Sequence, residues 1–139
     1  VERVVAAGLG LGGNAKAALL TRGQAEMVRL GVKLGGRAET FGGLSGIGDL
    51  VVSCMSRHGR NRLVGERLGR GDSLEKVLES IPGVPEGVLT CKAVVALADL
   101  HHVEVPISRE VHAVLFDRKD PRRAVDDLMT RSQKEELAQ

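Results

Sequence analysis

The sequence predicts an all-α domain built from several helices. Apolar residues recur at helical spacing in one segment after another. The junctions between those segments hold glycines, prolines and short polar residues of the kinds that stop and start helices. No series of strands alternates with the helices, so a parallel sheet has nothing to form from. The chain of 139 residues suits one domain with one core.

Each element follows from its own residues. The first helix runs from Asn14 to Leu34, with Leu20, Gly23, Met27, Leu30 and Leu34 on one stripe. Asn14 is read as its N-cap, and Gly35 with Gly36 as its stop. The stretch "GIGDLVVSCMSRHGRNR", Gly46 to Arg62, starts as an apolar, helix-like run around one acid, Asp49. It ends with Arg57, Arg60 and Arg62 close together. Arg60 and Asn61 then open a helix, "RNRLVGERLG", whose apolar positions include Leu63, Val64 and Leu68. In "DSLEKVLESIPG", Leu74, Val77, Leu78 and Ile81 share a face, and Asp72 with Glu75 reads as a capping box with an acid cap. Glu86 to Val103 is a long apolar-rich helix closed off by Pro106, and "ISREVHAVLFD" is another. In the last helix Asp120 caps, Pro121 takes the first position, and Ala124, Val125, Leu128 and Met129 are the buried face. The ending "SQKEELAQ" is polar. The helical domain is therefore read as residues 1–131, with a frayed tail at 132–139.

Composition narrows the function. Phe41 and Phe116 are the whole aromatic content, so the core is aliphatic and bases have no stacking platform. The net charge of +2 makes any basic character local. Cys54 and Cys91 form no CxxC pair and have no activating neighbours, which fits buried small residues in a reduced, cytoplasmic setting. No apolar run approaches the length of a membrane span. The chain starts at Val1, without Met, inside a segment that already reads as structured, so it is taken as a piece of something longer.

Several residue groups carry chemistry. "GLGLGG" at Gly8–Gly13 matches a dinucleotide-binding pattern by spacing alone. Lys33 stands where the ribose-binding acid belongs and no second strand follows, so the glycines read better as a loop before a helix. A carboxylate in the apolar surroundings of Asp49 needs a cation or several donors, and Ser53 lies one turn on. A helix start at Gly59-Arg60-Asn61 offers free N–H groups, a forked guanidinium and an amide, a set suited to phosphate. The bland readings are a structural ion pair and a solvated basic turn. The adjacent pair His101-His102 has poor spacing for a metal and reads as an exposed helix end, so no metal is expected. Glu86 after Pro85 is a helix-start acid favoured by the dipole.

Taken in order, "GLGLGGNAKAALLTRGQAEMVRLGVKLG", "TFGGLSGIGDLVVSCMSRHGRNR", "EGVLTCKAVVALA" and "VPISREVHAVLF" resemble the C-terminal domain of bacterial NAD(P)-dependent glycerol-3-phosphate dehydrogenases. The resemblance runs from about Gly8 to Leu128. It implies the helical fold of the C-terminal domains of 6-phosphogluconate dehydrogenase relatives. It also implies hydride transfer between NAD(P)H and dihydroxyacetone phosphate to give sn-glycerol 3-phosphate, a precursor for phospholipid synthesis. By resemblance Asp49 lies in the active site and Ser53 supports it. Gly59, Arg60 and Asn61 hold the substrate, and Arg60, Val84 and Glu86 contact the NAD or NADP. Two positions depart from the family: Gly59 where Ser is usual, and Pro85 where a Val-like residue is usual. The family's catalytic lysine and its N-terminal Rossmann domain are expected to precede Val1, and the chain is expected to be inactive alone. A homodimer is a further partner the family reading allows. The competing readings are a dimerisation module and a small helical nucleic-acid binder using the Arg57–Arg70 cluster. The near-neutral charge and missing aromatics argue against the nucleic-acid binder.

Overall fold

A computed structural model describes residues 12–55, 59–83 and 85–131, with the side chains of Cys54 and Met55 outside that description. Most of the "GLGLGG" stretch, Arg57, His58, Val84 and the tail 132–139 also lie outside the described residues. The described elements are α1 (Gly13–Lys33), α2 (Ala38–Phe41), a π-helical turn (Leu44–Gly48), α3 (Asp49–Met55), α4 (Arg60–Gly69), α5 (Leu74–Ser80), α6 (Glu86–His101), α7 (Pro106–Phe116) and α8 (Pro121–Thr130). Among the described residues there is no strand, as the sequence predicts.

Helix α7 is the centre of the packing, touching α6, α8 and α1. Its Val114 and Leu115 meet Val64 and Leu68 of α4, Val77 of α5, Val88 and Cys91 of α6, and Ala124 of α8. On another side Ile107 packs with Leu19 of α1 and Leu128 of α8. Leu30 of α1, Ala98 of α6 and Val105 close the far end. The core is aliphatic throughout, as the composition requires. The partly buried Phe116 ring packs against His112 and lies under Lys92 Nζ at 4.3 Å, a cation–π contact.

The helix ends show what local chemistry decides. Asp120 caps α8 by accepting from the Arg122 N–H at 2.8 Å, with Pro121 at the first position. Gly35 (φ +91°) ends α1, and Gly36 donates back to the Gly31 carbonyl at 2.8 Å. Helix α6 ends the same way at His102, which is left-handed at φ 54°, with Val103 N–H bonded to the Ala98 carbonyl.

Other expectations are corrected. Gly12, not Asn14, is the N-cap of α1, closed by backbone alone. The buried line of α1 is Leu19, Glu26 and Leu30, because that line faces α6, α7 and α8; Leu34 sits past the last turn and is exposed. Ser73, not Asp72, caps α5, accepting from the Lys76 N–H. Asp72 instead binds the Arg67 guanidinium at 2.7 Å, five residues back across the turn between α4 and α5. Helix α6 stops at His101, short of Val103, and Pro106 opens α7. Leu63, Leu78 and Met129 lie on outer faces.

Candidate active site

The start of α4 gathers the basic part of the site. Gly59 is the N-cap, extended at φ −66° and ψ 124°, and places no side chain over the helix start. Arg60 follows on the surface. Its guanidinium lies against Gly83, where a Cβ would sit 2.7 Å from Nη1. Gly83 has φ +85°, so the loop before α6 needs glycine twice, for its backbone and for the arginine beside it. Among the described residues Arg60 forms no hydrogen bond or ion pair, whereas Arg62 is held by Glu66 and Arg67 by Asp72. Two arginines of the Arg57–Arg70 cluster are thereby neutralised.

Asn61 ties α4 to α6. Its Oδ1 accepts the Gly87 backbone N–H at 3.0 Å, across 26 positions of sequence. Helix α6 begins after Pro85, which is buried and offers no side-chain acceptor. Asn61 therefore supplies from another helix the cap that proline cannot give. Glu86, the first residue of α6, is exposed beside this junction. The structure thus brings together Gly59, Arg60, Asn61, Gly83, Glu86 and Gly87. Val84 lies outside the described residues.

Asp49 and Ser53 stand on α3, both exposed. The sequence reads Asp49 as a buried acid, and this is corrected. Helix α3 packs on the π-helical turn and leaves Asp49, Val52 and Ser53 exposed, with Val52 at 67%, and Leu44 of the turn is 91% exposed. Among the described residues neither Asp49 nor Ser53 bonds to Arg60 or Asn61. The segment is anchored from behind. Gly46 is buried against the Phe41 backbone, the Phe41 ring covers Gly31, and Gln24 Nε2 donates to the Phe41 carbonyl at 2.5 Å.

The buried acid is Glu26, 4% exposed. It accepts from the N–H of Ile107 at 2.5 Å and from the N–H and hydroxyl of Ser108 at 3.1 and 3.0 Å. Burial raises its pKa above the usual carboxylate value, and these donors together with Arg29 partly oppose the rise. The sequence reading missed it. The signal was an acid seven residues after Leu19 and four before Leu30, on their shared face.

Elsewhere, a cleft of about 340 Å³ is lined by Asp99, His102, Arg109 and Arg131. Its arginines are paired, Arg109 with Asp99 and Arg131 with Glu104, and it contains none of the site residues above. Among the described residues no group of three His, Cys, Asp or Glu side chains is placed to hold a metal ion. No helix among them is long and apolar enough to cross a membrane.

Residues 4–126 match the family model described as NAD-dependent glycerol-3-phosphate dehydrogenase C-terminus. A glycerol-3-phosphate dehydrogenase [NAD(P)+] of Salinibacter ruber is 56% identical over 132 residues, covering 95% of this chain and 39% of that protein. One from Prosthecochloris aestuarii is 54% identical, covering 96% of this chain and 40% of that protein. The crystal structure of glycerol-3-phosphate dehydrogenase from Coxiella burnetii superposes with a TM-score of 0.91 at 42% identity, covering 94% of this chain and 40% of that one. The chain thus spans about two-fifths of the length of these relatives. With a match from residue 4 to residue 126 and a shared helical fold, the chain belongs to the C-terminal-domain family of NAD-dependent glycerol-3-phosphate dehydrogenases.

Proposed function

We propose that this chain is the substrate-binding part of an NAD(P)-dependent oxidoreductase that interconverts dihydroxyacetone phosphate and sn-glycerol 3-phosphate. The observation that carries the reading is the start of α4. Arg60, without a partner among the described residues, stands beside an Asn61 whose oxygen is already engaged by Gly87. What these side chains have left to offer is hydrogen-bond donors, and a phosphate is all acceptor. Asp49, an exposed carboxylate on the anchored α3 segment, is assigned to orient the substrate's hydroxyl, with Ser53 one turn on. The proton-transferring lysine is assigned to the part of the relatives' length that this chain does not span.

The nicotinamide, when bound, accepts or gives the hydride. The described residues fit only the edge of such a cofactor. They hold no strand leading into a glycine-rich helix start. Glu86 is an exposed acceptor suited to a ribose hydroxyl, and Arg60 suits a cofactor phosphate as well as the substrate's. We assign Val84 the same neighbourhood, and the main cofactor contacts to an N-terminal Rossmann domain. The exposed apolar residues of the α3 segment, Leu44 and Val52, are surface for that domain to cover. A cytoplasmic enzyme feeding phospholipid synthesis is the setting this reading gives.

The test is to assay the chain with NADH or NADPH and dihydroxyacetone phosphate, alone and then joined to an N-terminal domain carrying the lysine. Turnover is expected only from the joined protein. Turnover by the chain alone, or none from a well-folded joined protein, overturns the reading.

A further inference from the structure

We infer that Gly87 is a positioning residue for the substrate: by having no side chain, it fixes which way the Asn61 amide faces. The inference rests on the reading of Asn61 as a substrate ligand. Three observations carry it. The Gly87 N–H needs an acceptor, and of the two ends of the Asn61 amide only the oxygen is one. The 3.0 Å bond therefore settles which end of the amide is the acceptor for α6 and leaves the NH2 as the group with hydrogen bonds still to give. A Cβ at position 87 would lie 2.7 Å from Asn61 Oδ1, 2.8 Å from Cγ and 3.0 Å from Nδ2, so any side chain there pushes the amide out of place. Lastly, Pro85 gives α6 no cap of its own, so the N–H of Gly87 has no competing local acceptor to turn to.

The consequence is specific. Asn61 faces a ligand with donors alone, next to the guanidinium of Arg60. A ligand of phosphate chemistry gains from both. An amide rotated the other way would set its oxygen against the phosphate oxygens. Gly87 thus decides whether Asn61 attracts or repels the substrate, without touching the substrate itself.

Two variants of the complete dehydrogenase carrying this domain separate this role from a structural one. Asn61→Asp keeps an acceptor for the Gly87 N–H, and the α6 dipole favours the added charge, so the melting temperature should hold. It replaces the donating NH2 with an anionic oxygen, so KM for sn-glycerol 3-phosphate should rise about tenfold or more. Gly87→Ala should raise KM by about the same factor with kcat within about threefold, although alanine is the better helix former. An unchanged KM in Asn61→Asp overturns the assignment of Asn61 and this inference with it. A raised KM in Asn61→Asp with an unchanged KM in Gly87→Ala leaves the site standing and overturns the positioning role. If Gly87→Ala fails to fold, hydrogen exchange at the Gly87 amide decides. Exchange should be slow in the unaltered protein and in Asn61→Asp, and fast in Asn61→Ala. Equal exchange in all three overturns the inference.

Discussion

Ser108 donates both its backbone N–H and its hydroxyl to one oxygen of Glu26, at 3.1 and 3.0 Å. With the Ile107 N–H on the other oxygen, the carboxylate of one helix closes the first turn of another. Helix α7 begins at Pro106 and has no cap of its own, so these donors have no local acceptor. A buried acid thereby joins α1 to the helix at the centre of the fold.

Glu26→Gln should destabilise the folded chain by about 1–3 kcal/mol, because one of the two N–H groups would then face an NH2. The pH dependence has a definite sign. Burial raises the folded-state pKa of Glu26 above the ordinary carboxylate value of 4.5. The stability linked to this group is therefore fully present below 4.5 and lost as pH rises through the folded-state value. The advantage of the native chain over Glu26→Gln should narrow across that window and level off above it. Urea melts at a series of pH values check this. An advantage that grows with pH would show that the donors outweigh burial.

Arg60→Ala in the complete enzyme should raise KM for dihydroxyacetone phosphate and cost about 1.5–3 kcal/mol in kcat/KM, as for a lost charge-assisted bond. Arg60→Lys should recover only part, since a point charge does not copy the fork. Stability should be unaffected, because Arg60 is exposed and bonds to no described residue. Steady-state kinetics with both variants decide. Native kinetics in both would remove Arg60 from the site.

What could be read in advance was local. The cap and proline of α8 and the stop at Gly35 are set by residues within a turn of one another, and sequence shows such signals directly. The buried face of α1 lies about one residue from the stripe its apolar residues mark, because it includes the polar Glu26. Only the N–H groups of α7, some 80 residues away, make burying it tolerable. Asp72 is different: its partner Arg67 is only five residues back, across the turn between α4 and α5, and Ser73 next to it takes the cap. In the site, residue types pointed to Arg60 and Asn61, but the Gly87 bond that orients Asn61 is a tertiary contact without a sequence signature. Apolar neighbours in sequence made Asp49 look buried, yet α3 faces outward among the described residues.

His102→Gly should stabilise the chain by about 0.5–1 kcal/mol. His102 holds a left-handed conformation at the end of α6, with φ 54°, which glycine adopts without a Cβ clash. The gain is reduced by the extra freedom glycine gives the unfolded chain. Thermal melting reads it as a rise of a few degrees. A fall in melting temperature would mean that the imidazole makes a contact worth more than the strain.

Gly31→Ala tests how α1 positions the Asp49 segment. A Cβ at Gly31 would overlap the half-buried Phe41 ring, whose backbone is held from two sides. Gln24 holds the Phe41 carbonyl, and Gly46 presses on the Phe41 backbone from the other side. If the ring keeps its place, relief comes from moving the segment that follows, through the π-helical turn at Leu44–Gly48 to Asp49. Overpacking of this kind costs about 1–3 kcal/mol. In the complete enzyme, kcat should fall by more than the folded fraction does, because displaced Asp49 no longer meets the substrate. Asp49→Asn should lower kcat with little change in melting temperature, since Asp49 is exposed and supports no described contact. Adding Phe41→Leu to Gly31→Ala should restore stability in part by returning space. If Gly31→Ala melts and turns over like the native enzyme, the ring shifts freely and α1 does not position Asp49.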